Sequence, residues 1–191
     1  MRAKAALLTP GAGAGRDQAS LVALDAALTE RDLVVERMDF PYRKAGGKSP
    51  DRPPVLLAAV REGATNLASR AQTVPQGVLL GGRSMGGRIC SMAVADGLGA
   101  AGLVLVSYPL HPPGKPEQLR TAHFGDIRVP CLFVSGTRDA FGRPDELVAA
   151  TTTIPGDVTH VWVEGGDHGL RGKDHEVVEA VCMWLAQLAS R

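Results

Sequence analysis

Four short runs of consecutive apolar residues, Ala5 to Leu8, Gly77 to Leu80, Leu103 to Val106 and Cys131 to Val134, each give way at once to sequence holding glycine, proline or small side chains. A strand with one wet face alternates apolar and polar residues, because successive side chains point to opposite sides. A strand covered on both faces has no polar side to show. Unbroken apolar runs of this length therefore predict parallel strands sandwiched between helices. Val34 to Met38 and His160 to Val163 are less purely apolar candidates of the same kind.

The segments between the runs carry helical spacing. Leu21, Leu24 and Leu28 form one stripe, Val55, Leu56, Val60 and Leu67 another, and Ile89, Met92 and Ala93 a third. Near the C-terminus Val177, Val181, Trp184, Leu185 and Leu188 share one helix face, with Asp174 and Glu176 where the helix dipole is positive. Strand and helix thus alternate. With right-handed crossovers, this order predicts an α/β, three-layer domain: an about six-stranded, mostly parallel sheet with helices on both faces. One such domain accounts for residues 1–191. Pro41 to Pro54, rich in proline and basic residues, reads as an exposed connector. Leu110 to Pro130 has room for one helix near Gln118 to Phe124 but is too short for a cap domain, so the strand ends should lie open.

The run Gly77 to Leu80 leads into Gly82-Arg83-Ser84-Met85-Gly86, which fits the nucleophile-elbow pattern G-x-S-x-G. In that pattern the serine sits on a strained turn between strand and helix, and any side chain two positions away would strike the neighbouring backbone. A serine hydroxyl attacks a carbonyl only if a base takes its proton and an acid orients that base, and on such a sheet the order is serine, acid, histidine. Asp139 follows the run Cys131 to Val134, and His168 lies in Gly165-Gly166-Asp167-His168-Gly169 after the last strand candidate. All three positions fall beyond strand C-terminal ends, where open α/β sheets bind ligands. Of the other histidines, His111 precedes the acid, His160 stands at a strand start, and His123 and His175 belong to a loop or helix. Asp145 suits a helix start, and Asp167 adjoins the histidine and points elsewhere.

An oxyanion needs backbone donors already in place. Met85, the residue after the serine, supplies one by position. Ala12, or Gly11 beside it, in Pro10-Gly11-Ala12-Gly13-Ala14-Gly15, is the candidate for the second. The same glycines do not make a nucleotide cradle: the third glycine of G-x-G-x-x-G is misplaced and no G-K-[ST] follows. Tyr108, His111 and Phe141 are candidates for the cleft lining. No metal and no cofactor is called for.

Twenty-one basic residues against 20 acidic ones leave a net charge of +1, which gives no basis for nucleic acid or an anionic membrane as partner. Cys90, Cys131 and Cys182 are an odd, widely spaced set within apolar sequence and read as buried thiols, not as a disulfide or metal site. The basic, apolar start at Met1 to Leu8 is cut short by Pro10 and the glycines, so it does not read as a leader, and no stretch reaches the ~18 apolar residues of a membrane span. A cytoplasmic protein is the expectation.

Pro10-Gly11-Ala12-Gly13, the elbow, Ser107-Tyr108-Pro109-Leu110-His111-Pro112-Pro113, Leu132-Phe133-Val134-Ser135-Gly136 and Asp167-His168 together resemble the α/β-hydrolase superfamily. More narrowly they resemble its small capless group related to dienelactone hydrolases, which includes the testis-expressed and NSL-complex-subunit type relatives. The resemblance implies a minimal hydrolase whose sheet begins at Ala5, without the first two strands of larger relatives. It departs from many superfamily members in having Pro10 where they carry a histidine. The expected activity is that of a serine hydrolase on a small acyl ester or thioester, with peptidase or acyltransferase chemistry as variants. The alternative is a hydrolase-fold interaction module without turnover, marked by an occluded Ser84 or a His168 out of its reach.

Overall fold

The computed structural model describes residues 3–190. Six strands, β1 (Ala5–Thr9), β2 (Val34–Arg37), β3 (Val78–Arg83), β4 (Gly102–Val106), β5 (Cys131–Gly136) and β6 (Val158–Val163), form one sheet in the order β2-β1-β3-β4-β5-β6. Every pairing is parallel. Helices α1 (Ala19–Thr29), α2 (Pro41–Lys44), α3 (Pro53–Arg70), α4 (Met85–Ala95), α5 (Pro144–Thr151) and α6 (Asp174–Ala189) connect them.

Strand period two divides the core. Leu7, Leu80, Leu103, Leu105 and Phe133 pack on one face with residues of α3 and α4. Their neighbours Leu8, Leu79, Val104, Val106 and Val134 pack on the other with α1 and α6. All five named positions on each face are almost wholly buried. Cys90 and Cys131 are part of the first layer, where burial pushes each thiol up to about 12, so they pack as small neutral side chains. Cys182 is half-buried and free.

Several boundaries differ from the expected ones, each for a physical reason. β3 runs three residues past Leu80, through Gly81 and Gly82 to Arg83. Glycine has low strand propensity, but these two are needed where β1 and β4 approach. A Cβ on Gly81 would strike the Val104 carbonyl, and one on Gly82 the Thr9 carbonyl. Pro41 to Pro54 is not wholly a connector: Pro41 opens the short α2 and Pro53 opens α3, both at the first helical turn where proline costs no hydrogen bond. No α-helix forms near Gln118 to Phe124, where the chain makes only a 3₁₀ turn at Phe124–Asp126. Among the described residues no helix is long and apolar enough to cross a membrane. Met1 and Arg2 of the stretch weighed as a leader lie outside the described residues.

The segment between β4 and β5 is held from within. Tyr108 packs edge-on against Phe133 and tilted against Phe124, and its hydroxyl donates to the Arg120 carbonyl at 2.7 Å. His123 Nε2 lies 2.8 Å from Ser91 Oγ. Burial first, then the nearby Arg88 charge, pushes His123 from its ordinary 6.5 down to about 4. A histidine buried neutral stabilises the fold fully above 6.5 and loses that contribution as pH falls toward 4. Stability should therefore drop across that window by about 2 kcal/mol, allowing for partial exposure. Urea unfolding at pH 7 and pH 4.5 checks this. His123→Gln should flatten the change, and an unaltered pH slope in that variant would remove His123 as its cause.

Candidate active site

The order β2-β1-β3 reverses direction between β1 and β3, the place where open parallel sheets leave a crevice beyond their strand ends. The loop after β1 and the turn after β3 meet there. Ser84 is that turn: a single residue at φ 50°, ψ −118° between β3 and α4, a backbone state that L side chains adopt only when the surroundings impose it. The surroundings are the glycines. A Cβ on Gly86 would lie 2.5 Å from the Pro10 carbonyl oxygen and one on Gly87 2.8 Å from that of Gly82, so α4 can leave the sheet at this angle only without them.

Ser84 Oγ lies 2.9 Å from His168 Nε2. His168 Nδ1 is 2.9 and 3.0 Å from the two carboxylate oxygens of Asp139, which fixes the ring with Nδ1–H as donor and leaves Nε2 free to accept. Asp139 is 1% exposed, and one of its oxygens also accepts the Phe141 N–H at 2.8 Å. Phe141 stacks on the imidazole at 3.9 Å between centroids. The other acids lie where local structure uses them. Asp145 is in the first turn of α5, and Asp167 Oδ1 accepts the Leu170 N–H at 3.0 Å. His160 is bonded to Thr151, away from this constellation.

Met85 opens α4, so its N–H has no acceptor within the helix. Of the two candidates on the first loop, Gly11 donates its N–H to Gln18 Oε1 at 3.1 Å. The peptide joining Gly11 to Ala12 has its carbonyl taken by the Ala14 N–H at 3.1 Å, which turns the Ala12 N–H the opposite way. No hydrogen bond occupies that N–H among the described residues, so Ala12 is the better placed donor. Tyr42, buried in the segment expected to be a connector, donates its hydroxyl to the Ala12 carbonyl at 2.8 Å and steadies the same loop.

An open cleft of about 630 Å³ lies over Ser84, walled by the first loop, Pro50, Asp51 and Pro53 on one side and by Pro109, Arg120, Phe141 and His168 on the other. Two of the expected lining residues are not in it. Tyr108 is turned into the core, as above, and His111 is buried with Nε2 3.3 Å from Glu146, facing a separate depression. Ser107, at φ 49° directly after β4, turns the chain, so residues just past the strand end do not stay on its axis.

One contributor has no signature in the sequence. Arg83, the variable residue before the serine, is 6% exposed, and its guanidinium donates to the carbonyls of both His168 and Gly169. Burial holds its pKa below the ordinary value, and its Nε has no acceptor. Such a charge is costly to bury, and here it ties the loop bearing His168 to the strand that leads into Ser84. Replacing it by methionine should lower turnover about 10²-fold through misplacement of His168 while leaving thermal stability nearly unchanged. Steady-state kinetics beside a melting curve checks this: a lower melting point with full turnover would make Arg83 merely structural.

A profile of the alpha/beta hydrolase domain family matches residues 2–187. Among solved structures, an alpha-beta serine hydrolase homologue from Coxiella burnetii shares 19% identity over 97% of this chain and 86% of its own, with a TM-score of 0.78. A protein of unknown function from Agrobacterium tumefaciens superposes at 0.82 with 15% identity, over 100% of this chain and 88% of its own. A serine hydrolase without lid from Xanthomonas campestris does so at 0.73 with 18% identity, over 96% and 84%. At these identities the likeness is one of fold. It agrees with the absence of a cap over this sheet.

Proposed function

Because the chain belongs to the alpha/beta hydrolase domain family, we propose that it is a serine hydrolase of small acyl esters or thioesters, with Ser84, His168 and Asp139 as its catalytic triad. The observation that carries this reading is the unbroken relay from Ser84 Oγ to His168 Nε2, 2.9 Å, and from His168 Nδ1 to Asp139, 2.9 Å, at the floor of an accessible cleft. The marks of an interaction module, an occluded serine or a distant histidine, are not what this arrangement offers.

In the proposed reaction Ser84 Oγ attacks the acyl carbonyl as His168 takes its proton. The oxyanion is held by the N–H groups of Met85 and Ala12. Collapse breaks the bond to the leaving oxygen or sulfur, which receives the proton from His168, and an acyl-Ser84 ester remains. A water molecule, deprotonated by His168, repeats the sequence and releases the acid with Ser84 restored. Asp139 holds the imidazole and offsets its charge without taking up the proton.

The test is labelling by a fluorophosphonate probe, which needs an activated serine. Wild type should label and Ser84→Ala should not, both being folded by circular dichroism. A folded wild type that resists the probe would overturn the reading.

A further inference from the structure

Resting on the hydrolase reading, the cleft also says something of the substrate. Besides Arg83, whose guanidinium is spent on the His168 loop, two more arginines line it, Arg88 and Arg120. Arg88 lies in the first turn of α4, its N–H donating to the Ser84 carbonyl at 3.1 Å, and both residues line the cleft. Arg120 comes from the segment between β4 and β5. Its backbone is fixed by the Tyr108 hydroxyl on its carbonyl, 2.7 Å, and by its own N–H on the Leu110 carbonyl, 2.8 Å.

Elsewhere several arginines find acids, Arg37 with Asp17 and Asp25, Arg61 with Asp96, Arg70 with Glu36, and others, Arg31 and Arg138 among them, find backbone carbonyls. Arg88 has no hydrogen-bonding or ion-pairing partner for its guanidinium among the described residues, and Arg120 has only the Pro109 carbonyl at 3.4 Å. The one carboxylate in the lining, Asp51, accepts the backbone N–H of Tyr42 at 2.9 Å. Both arginines are half-buried. Burial and then the charge of Arg88 lower the pKa of Arg120, so the two cations stand close enough to repel. Two like charges held together beside a nucleophile, without a counter-ion from the chain, are uncompensated until something anionic arrives.

We propose that the substrate carries an anionic oxyacid group, a carboxylate or a phosphate, which Arg88 and Arg120 bind while the acyl carbonyl lies over Ser84. The forked guanidinium suits either group. Neutral esters lack the contact and are the poorer substrates.

The experiment compares the 4-nitrophenyl hemiester of glutaric acid with 4-nitrophenyl butyrate. In wild type the ratio of kcat/KM, charged over neutral, should exceed about tenfold, and in the Arg88→Met, Arg120→Met double variant it should fall toward one. Raising the salt should shrink the ratio in wild type and leave it flat in the variant. A wild-type ratio at or below one, or a preference that survives the double substitution, overturns the proposal. Calorimetry with glutarate and with inorganic phosphate on Ser84→Ala separates the two oxyacids and is independent of turnover. If no ester is cleaved and the probe does not label, the hydrolase reading has failed alone, and the anion site stands or falls on this binding and its loss in the double variant.

Discussion

His168→Ala should lower kcat/KM toward an activated aryl ester by at least about 10⁴-fold, and Asp139→Asn by about 10⁴-fold, with both proteins folded. The two losses have different causes. Without the imidazole, Ser84 has nothing within hydrogen-bonding distance to take its proton, since Arg83 and Arg88 are donors only. With asparagine at 139, the group facing Nδ1 can present its N–H₂, which favours the tautomer carrying the proton on Nε2, the nitrogen that must accept from Ser84. The 1% exposure of Asp139 means water cannot substitute for it. The double variant should be little worse than His168→Ala alone, because the acid acts only through the base. Steady-state rates of the three variants check this. Additive losses would show that Asp139 works by another route, and a fully active His168→Ala would remove the base from the mechanism.

Gly82→Val should destabilise the fold by on the order of 3 kcal/mol, at the upper end of overpacking costs. Gly82 is paired with Thr9 in the register of β1 against β3, and a Cβ there meets the Thr9 carbonyl and hydroxyl. A flexible side chain could retreat. A carbonyl within a parallel ladder cannot, except by parting the two strands whose loops carry Ala12 and Ser84. Urea unfolding should show a lower midpoint with an unchanged slope, and activity should fall further than stability, since the elbow moves with the strand. A midpoint equal to wild type would mean that β1 does not approach β3 this closely in solution.

Much of the architecture was legible because parallel strands buried on both faces must be apolar throughout, and four of the six, β1, β3, β4 and β5, fall on such runs. β3 was legible only to Leu80, since close backbone approach calls for glycine and glycine argues against strand. The proximity of Ser84, Asp139 and His168 could be anticipated from their place after successive strand ends, because a parallel sheet delivers all such loops to one edge. Side-chain direction could not. Tyr108 and His111 follow β4 as Asp139 follows β5, yet the chain turns at Ser107 and both are buried. Arg83 was invisible for a related reason: the pattern leaves its position free, and the carbonyls it holds come from a loop 85 residues later. Arg88 and Arg120 were likewise just two of the chain's many cations until the fold put both into the lining of one cleft.

The span between Ser84 and His168 bears on how the protein comes into being. Ser84 follows the third strand, His168 follows the sixth, and the buried guanidinium of Arg83 waits on that same distant loop. During synthesis the first three strands and their helices can assemble while Arg83 is still an unshielded cation beside an idle serine. Docking of the final loop then brings His168 to Ser84 and seals the arginine in one event. The contacts joining Ser84, His168 and Asp139 are thus among the last the nascent chain can make, and their presence requires that the whole sheet has closed.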